Sequence, residues 1–293
     1  MNAVEPLAER AAGAAVTGWG GREPAAPVVA STTNPAVKAA RRLARRRGRR
    51  DGSLLVEGPQ AVREAIGWLD RVFVEESAPE PIRQLAQDAA EAGARLSVVT
   101  VPVLDSIATT VTPQGIVGVA HLEPVDLTQT LAGARLAVLC CGLADPGNLG
   151  TILRTADAVG ADVVIVAAGS VDAFNPKAVR SSAGSLFHLP VVQDVAATEA
   201  LTAARAAGLR IVGCAREGSR SLFDADLRAA TLLAIGAEAD GLPSDVAAAC
   251  DELVAIPMHE TPRPGRAGVA ESLNAAVAMA VVSYEALRQR ERG

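Results

Sequence analysis

The stretch Asp145-Pro-Gly-Asn-Leu-Gly-Thr-Ile-Leu-Arg-Thr-Ala-Asp-Ala-Val-Gly160 follows the apolar run 136–141 in a chain of 293 residues. An apolar run followed by Pro and Gly and then by an amphipathic segment is typical of a buried strand that turns into a helix. Asn148 is placed to cap this helix. Arg154 shares a face with Thr151 and Thr155, away from the apolar residues, and this face can meet a ligand. The stretch therefore predicts a strand–turn–helix unit with one packing face and one polar face.

Short apolar runs alternate with helical patterns along the rest of the chain. After the polar connector 122–134, strands are predicted at 136–141, 162–167, 210–214, 231–235 and 252–256, and helices at 149–159, 176–186, 198–207, 244–250 and 271–288. This alternation predicts a parallel sheet with helices on both faces. The same alternation earlier in the chain predicts a smaller α/β sandwich. The predicted organisation is a flexible leader at 1–29, a first domain at 30–121, the connector at 122–134 and a second domain at 135–293.

The distribution of charge points to a nucleic-acid partner, although the net charge of the chain is −5. Eight basic residues and one Asp give residues 31–52 a charge of +7, which leaves −12 for the rest. A concentrated basic segment on an acidic chain is typical of a phosphate-binding surface, and a merely solvated basic helix is the alternative. The residues expected to contact RNA are Lys38, Arg41, Arg45, Arg46 and Arg49.

Composition narrows the class of protein further. Aromatic residues make up only 2% of the chain, so RNA binding through rows of stacked rings is not expected. Four cysteines without a Cys-x-x-Cys spacing and three scattered histidines predict buried thiols in a reduced, intracellular protein with no metal site. No apolar run reaches 18 residues and no secretory pattern opens the chain, which predicts a cytoplasmic protein without a membrane partner.

Two further stretches join the first one in a fixed order. They are Leu232-Leu-Ala-Ile-Gly-Ala-Glu-Ala-Asp-Gly-Leu242, and Ile256-Pro-Met258 followed by Glu271-Ser-Leu-Asn-Ala-Ala-Val277. Together the three resemble the motifs of the SpoU (TrmH-type) RNA 2′-O-ribose methyltransferases of the SPOUT superfamily. The opening Asn34-Pro-Ala-Val-Lys38, the basic segment, Val56-Glu-Gly58 and Thr112-Pro-Gln-Gly115 resemble the amino-terminal substrate-binding domain of many such proteins, which is similar to the ribosomal L30e RNA-binding fold.

The resemblance implies a particular fold and reaction. The fold would be an L30e-like α/β sandwich followed by a SPOUT α/β domain whose last helix is threaded into a trefoil knot, whereas general rules of chain connection predict an unknotted sheet. The methyl donor would be S-adenosylmethionine, and the substrate an RNA, ribosomal RNA more than transfer RNA. A homodimer would form through the carboxy-terminal domain.

The resemblance also assigns roles to individual residues. Arg154 matches the arginine of the first motif, which is thought to hold an RNA phosphate and to assist deprotonation of the ribose hydroxyl. Because a free arginine stays protonated, its direct role is electrostatic and the general base is left open. The other expected catalytic residues are Asn148, Glu238, Ser272 and Asn274, and the expected cofactor contacts are Gly236, Ile256 and Leu273. Helix caps for Asn148 and Ser272 and a core position for Leu273 are the structural alternatives.

The sequence departs from the family pattern at three places. Asp145 stands where asparagine is common, Ala239 stands where glycine is common, and an insertion of twelve residues, 259–270, borders the expected cofactor cleft. A catalytically weak or inactive RNA-binding protein on the same scaffold is therefore an alternative. An unrelated nucleotide-binding α/β enzyme is another, although the Gly-Asn-Leu-Gly turn lacks the spacing of a dinucleotide or P-loop motif. Lys177 and Arg180 lie in a segment that either meets RNA or begins a solvated helix, and Glu57-Gly58 is interpreted as a structural turn.

Overall fold

The computed structural model describes residues 27–45, 49, 51–259, 270 and 272–291. Their contacts form two compact units. The amino-terminal unit contains the described residues up to Pro124 together with Phe174–Phe187, and the carboxy-terminal unit contains Val125–Ala173 and the described residues from His188 onward. The sequence scheme assigns Phe174–Phe187 to the second domain, whereas its contacts group it with the first unit. Of the proposed leader, only residues 27–29 lie within the described part of the chain.

Strands and helices alternate along both units. In chain order the elements are α1 (Pro35–Arg42), β1 (Ser53–Glu57), α2 (Pro59–Glu64), β2 (Leu69–Glu75), α3 (Glu80–Glu91), β3 (Arg95–Val99), α4 (Val101–Ile107), β4 (Ile116–His121), α5 (Leu127–Leu131), β5 (Leu136–Cys140), α6 (Pro146–Ala158), β6 (Val163–Ala167), α7 (Pro176–Ser181), β7 (Val191–Val195), α8 (Ala197–Ala206), β8 (Arg210–Cys214), β9 (Arg220–Ser221), β10 (Thr231–Ile235), α9 (Ser244–Ala249), β11 (Glu252–Ala255) and α10 (Ala275–Glu291). Single 3-10 turns lie at Ile66–Trp68, Ser185–Phe187 and Leu222–Asp224.

The amino-terminal unit is built on a four-stranded sheet in the order β1-β4-β2-β3. Strands β2 and β3 run parallel, and β4 is antiparallel to both of its neighbours. One apolar cluster on this sheet includes Val37 of α1, Phe73 of β2 and Leu104 of α4. Helix α4 was not predicted, because a seven-residue helix that begins Val-Pro-Val is too short to show helical periodicity.

Helix α1 is shorter than the basic segment. The basic segment spans residues 31–52, whereas the helix ends at Arg42 with Leu43 as its C-cap. Asn34 caps its first turn by accepting a hydrogen bond from the backbone N–H of Ala36 at 2.9 Å. Arg45 therefore follows the helix and does not lie on one of its faces.

The carboxy-terminal unit is built on a seven-stranded sheet in the order β7-β6-β5-β10-β8-β11-β9. Every neighbouring pair is parallel, which confirms the predicted α/β class with a parallel sheet. Every residue of β5, β6 and β10 is buried, as expected for strands covered on both faces. The outer strands β7 and β9 were not predicted from the sequence. Helix α5 lies within the segment that was predicted to be a polar connector.

Helices α6 and α10 pack against each other. Helix α6 buries Leu149, Ile152 and Leu153. Helix α10 buries Met279 and Val282, whereas Val277 and Tyr284 are about half exposed. Threading of this helix through a knot stays a prediction of the family resemblance. Within the described ranges, each helix is too short or too polar to cross a bilayer.

Candidate active site

The predicted site residues gather at one edge of the parallel sheet. Gly236 directly follows β10 and Ile256 directly follows β11, so both lie at the carboxyl edge, where ligands bind in open parallel sheets. Strand β8 separates these two strands, which places their ends about 10 Å apart. Leu273 precedes Asn274, and Asn274 is hydrogen-bonded to the loop after β10. Three segments that are distant in sequence therefore meet at this edge.

The loop after β10 is a tight closed turn. The backbone N–H of Ala237 donates to the carbonyl of Gly241 at 3.0 Å, and the N–H of Gly241 donates to the carbonyl of Ala237 at 2.9 Å. Gly236 is buried beneath this turn, and a Cβ at this position would lie 1.9 Å from the carbonyl oxygen of Gly241. Only glycine allows such a close approach of two backbone segments. The closed turn holds Glu238 outward at its tip, where the residue is exposed.

Glu238 joins the three sequence motifs through its carboxylate. Its Oε1 accepts a hydrogen bond from Nδ2 of Asn148 at 2.8 Å and another from Nδ2 of Asn274. Nδ2 of Asn274 also donates to Oδ1 of Asn148 at 3.1 Å. We refer to these three side chains as the Glu238 network. Its members are separated by 90 and 36 residues in sequence, and hydrogen bonds to a charged acceptor are stronger than neutral ones.

Asn274 has a second structural task. Its Oδ1 accepts hydrogen bonds from the backbone N–H groups of Ala276 at 3.0 Å and Val277 at 3.3 Å, so it caps α10. The alternative that Ser272 caps the last helix is therefore wrong. Ser272 is exposed, and no hydrogen bond of its hydroxyl is found within the described residues.

Asn148 is not the cap of α6. The cap is Asp145, whose carboxylate accepts a hydrogen bond from the backbone N–H of Gly147. The helix begins at Pro146, so Asn148 lies in its first turn and its side chain points to Glu238 instead. The cap lies three residues earlier than the sequence pattern predicts, because Pro146 and Gly147 belong to the helix and not to the preceding turn. Proline is favourable at the first position of a helix. The departure at Asp145 preserves the cap, since Asp and Asn cap equally well.

Arg154 lies on α6 six residues after Asn148, about 9 Å further along the helix axis. It is exposed and forms no hydrogen bond or ion pair within the described residues. The predicted polar face is narrower than expected, because Thr155 is 9% exposed and donates its hydroxyl to the carbonyl of Thr151. The structure thus presents Arg154 as a cation that is available to an outside anion, without direct contact to the Glu238 network.

The expected cofactor contacts are compatible with an adenosine group. Gly236 is buried, whereas Ile256 and Leu273 are half buried, so this edge of the sheet offers aliphatic side chains to a ligand. Apolar walls with a few fixed polar groups are typical of small-molecule sites. Most of the insertion 259–270, including Arg263 and Arg266, lies outside the described residues.

The cysteines are poor nucleophiles. Cys140 and Cys141 are buried and all four thiols are free. Burial, reinforced by the nearby Cys250 and Asp245, raises the pKa of Cys141 to about 12, and burial raises the pKa of Cys214 to about 11. Such thiols remain protonated at neutral pH. Within the described chain, no three His, Cys, Asp or Glu side chains are grouped to hold a metal ion.

The basic segment is only partly available to RNA. Lys38, Arg41 and Arg45 are exposed. Arg49 is only 6% exposed, and its Nη1 donates to the carbonyl of Leu43 at 2.6 Å, so this residue stabilises the turn after α1 and is not an exposed phosphate contact. Arg46 lies outside the described residues.

Comparison with known proteins agrees with this geometry. Residues 135–284 match the model of the SpoU rRNA Methylase family, and residues 34–118 match the model of the MRM3-like substrate binding domain. The chain is 33% identical over 271 residues to an uncharacterized tRNA/rRNA methyltransferase of Synechocystis, covering 89% of this chain and 94% of the relative. It is 31% identical to the 23S rRNA (guanosine(2553)-2′-O)-methyltransferase RlmP of Bacillus subtilis, covering 87% and 97% of the two chains.

A solved structure supports the same class. The SpoU methyltransferase AviRb from Streptomyces viridochromogenes, crystallised in complex with the cofactor AdoMet, superposes with a TM-score of 0.75 at 34% identity, covering 89% of this chain and 100% of its own. The fold is thus that of the SPOUT methyltransferases. Within this class, the chain belongs to the SpoU rRNA methylase family.

The two tasks of Asn274 can be separated by substitution. Asn274→Asp keeps an acceptor for the cap but places a second carboxylate against Glu238, and we expect the free energy of unfolding at pH 7 to fall by about 1–3 kcal/mol. A like charge raises the pKa of a carboxyl group, so the destabilisation is present above that pKa and is lost as the pH falls to about 4. Chemical denaturation at both pH values measures the effect.

Asn274→Ser is the matched control, because it keeps a capping oxygen without the charge. Its stability deficit is expected to be smaller and independent of pH. Equal deficits for the two variants at both pH values would contradict the contact between Asn274 and Glu238.

Proposed function

We propose that this protein is an S-adenosylmethionine-dependent 2′-O-ribose methyltransferase that acts on ribosomal RNA. The observation that carries the proposal is the Glu238 network, since it joins the three motif segments in one place at the carboxyl edge of the sheet. Membership in the SpoU rRNA methylase family supports the reaction. The name of RlmP, a 23S rRNA enzyme similar over most of its length, favours ribosomal over transfer RNA.

Gly236, Ile256 and Leu273 are the residues that would hold the methyl donor. When bound, S-adenosylmethionine supplies an electrophilic methyl group on a sulfonium. The similarity to AviRb, which was crystallised with AdoMet, supports this assignment. The half-buried aliphatic side chains of Ile256 and Leu273 would form an apolar wall for the donor, and the backbone around Gly236 is fixed by its tight turn.

The other motif residues align the RNA. An alkylation of a ribose hydroxyl needs a fixed approach of its oxygen, and positioning supplies much of the rate of such reactions. Oε1 of Glu238 is occupied by the amides of Asn148 and Asn274, whereas Oε2 has no hydrogen-bond partner in the described part of the chain. Oε2 is therefore able to accept a hydrogen bond from a substrate hydroxyl. Arg154 holds an RNA phosphate beside the site through its charged guanidinium.

We extend the proposal to assembly and location. The half-exposed Val277 and Tyr284 on α10 offer an apolar surface for a second copy of the carboxy-terminal unit, which supports a homodimer. A substrate in ribosomal RNA favours a cytoplasmic enzyme.

Arg154→Ala tests the proposed catalytic arrangement. Because Arg154 is exposed and without a partner in the described structure, its loss should leave the fold and the affinity for S-adenosylmethionine unchanged while methylation of ribosomal RNA falls by about 100-fold or more. Arg154→Lys keeps the charge without the fork of N–H donors and should be intermediate.

Calorimetry with S-adenosylmethionine and base-resolved mapping of 2′-O-methylation provide the measurements. Equal loss of donor binding and methylation would assign Arg154 to folding. Absence of donor binding by the wild-type protein at millimolar concentration would instead support an RNA-binding scaffold without turnover.

The exposed basic residues make a separate prediction. Replacing Lys38, Arg41 and Arg45 with Glu should weaken RNA binding and reduce the slope of log K against log salt concentration by about 2–3, because each phosphate contact contributes about 0.7–0.9. Fluorescence anisotropy on in vitro-transcribed 23S ribosomal RNA over a range of salt concentrations measures the slope. An unchanged slope would remove this segment from the RNA-binding surface.

A further inference from the structure

A buried carboxylate organises a second polar site, which lies wholly within the amino-terminal unit. The Glu57 side chain is 3% exposed. Its Oε2 accepts hydrogen bonds from the backbone N–H of Thr109 at 3.0 Å and from the N–H and hydroxyl of Thr110, each at 3.2 Å. Its Oε1 accepts from the hydroxyl of Thr109 and from Nη1 of Arg180 at 2.9 Å. These five contacts share the roughly four acceptor positions of the carboxylate, so both of its oxygens are fully occupied.

Arg180 is held by only one of its nitrogens. Nη1 donates to Glu57 and to the hydroxyl of Thr109 at 2.7 Å. Nη2 and Nε have no hydrogen-bond partner within the described residues, and the side chain is 30% exposed. The two hydrogen bonds of Nη1, one of them to the buried carboxylate of Glu57, hold the guanidinium in place. Three N–H donors of Arg180 are thereby left for another group.

These donors border a cleft of about 240 Å³ in the same unit. The residues that define its chemistry are Gly58, Thr110, Thr112, Pro113, Gln114 and Arg180. Gly58 has a φ of +89°, a conformation that favours glycine, and a Cβ there would lie 2.7 Å from Oε1 of Gln114. Thr112 and Gln114 are exposed and make no side-chain hydrogen bond within the described structure. Pockets for drug-sized ligands usually have about 300–1,000 Å³, so this cleft suits a smaller group.

The chemistry of the cleft fits the ribose–phosphate backbone of RNA. A guanidinium with a free N–H fork matches phosphate oxygens, and hydroxyl and amide side chains suit phosphate and ribose oxygens. The residues around the cleft include no aromatic ring, so a stacked base has no platform here. We propose that this cleft binds one ribose–phosphate unit of the RNA substrate, with Arg180 and Gln114 as contacts and Glu57 as the positioning residue. The proposal rests on the proposed function, since it names a further contact for the same RNA.

The cleft also uses chain from both halves of the sequence. Arg180 lies on α7, which follows β6 in the chain, yet Phe174–Phe187 belongs to the amino-terminal unit. The contact between Arg180 and Glu57 spans 123 residues. An RNA bound in the cleft would therefore contact the segment between β6 and β7 as well as the substrate-binding domain.

Gln114→Glu tests this site with little risk to the fold, because the two side chains have the same shape and Gln114 is exposed. The new charge should raise the Kd for in vitro-transcribed 23S ribosomal RNA about tenfold and raise the KM for RNA. The kcat and the affinity for S-adenosylmethionine should stay near the wild-type values. Gln129→Glu is the matched control, since Gln129 is an exposed residue of α5 without a side-chain hydrogen bond, and it should bind RNA like the wild type.

A second variant tests the guanidinium itself. Arg180→Lys keeps the charge beside Glu57 but loses the fork, and it should weaken RNA binding several-fold while the thermal unfolding temperature changes little. Affinities for RNA that match the wild type in both Gln114→Glu and Arg180→Lys would overturn the proposal. A second result would also overturn the proposal: inorganic phosphate binds the wild-type protein but not Gln114→Glu, while the two proteins bind RNA equally well. The cleft would then be a site for small anions.

The experiments distinguish an error in the cleft assignment from an error in the proposed function. If the wild-type protein methylates ribosomal RNA and the two cleft variants bind RNA normally, only the cleft assignment is wrong. If the wild-type protein neither binds S-adenosylmethionine nor methylates RNA, the proposed function fails, and the RNA affinities of the two cleft variants still decide whether the cleft contacts RNA.

Discussion

The candidate active site depends on one carboxylate. Glu238 accepts the amides of Asn148 and Asn274 on a single oxygen, and each of the three residues comes from a different motif. The loop that presents Glu238 closes over Gly236 so tightly that a side chain there would overlap the backbone of Gly241. Removal of the carboxylate would leave two amides without their shared acceptor and would free the start of α10 from the loop. These hydrogen bonds hold the three motif segments together in one site.

Much of the fold could be predicted from the sequence, because short apolar strands alternate with amphipathic helices. The central strands β5, β6, β8 and β10 were predicted to within a residue, since the buried strands of a parallel sheet give short apolar runs. The edge strands β7 and β9 were missed, because β7 carries polar residues and β9 has only two residues. The grouping of Phe174–Phe187 with the amino-terminal unit depends on contacts between distant segments, which local periodicity does not encode.

For the site, the sequence predicted which residues come together but not the structural role of each one. The order of the three motifs identified Asn148, Glu238 and Asn274, and the structure brings these three together. Their individual structural tasks were not predictable, because several nearby side chains are chemically able to cap the same helix. Arg49 was expected to face RNA, but the turn after α1 buries it against the carbonyl of Leu43. The sequence does not predict the ion pair of Glu57, because its partner Arg180 lies 123 residues away along the chain.

A double-mutant cycle on Glu238 and Asn274 tests the central claim most directly, with the rate of methyl transfer to ribosomal RNA as the readout. The variants are Glu238→Gln, Asn274→Ala and the double variant. If the two residues act as one unit, the double variant should be little slower than the slower single variant, because coupled residues show strongly non-additive losses. Losses that simply multiply would mean that Glu238 and Asn274 act independently and that their hydrogen bond does not organise the site.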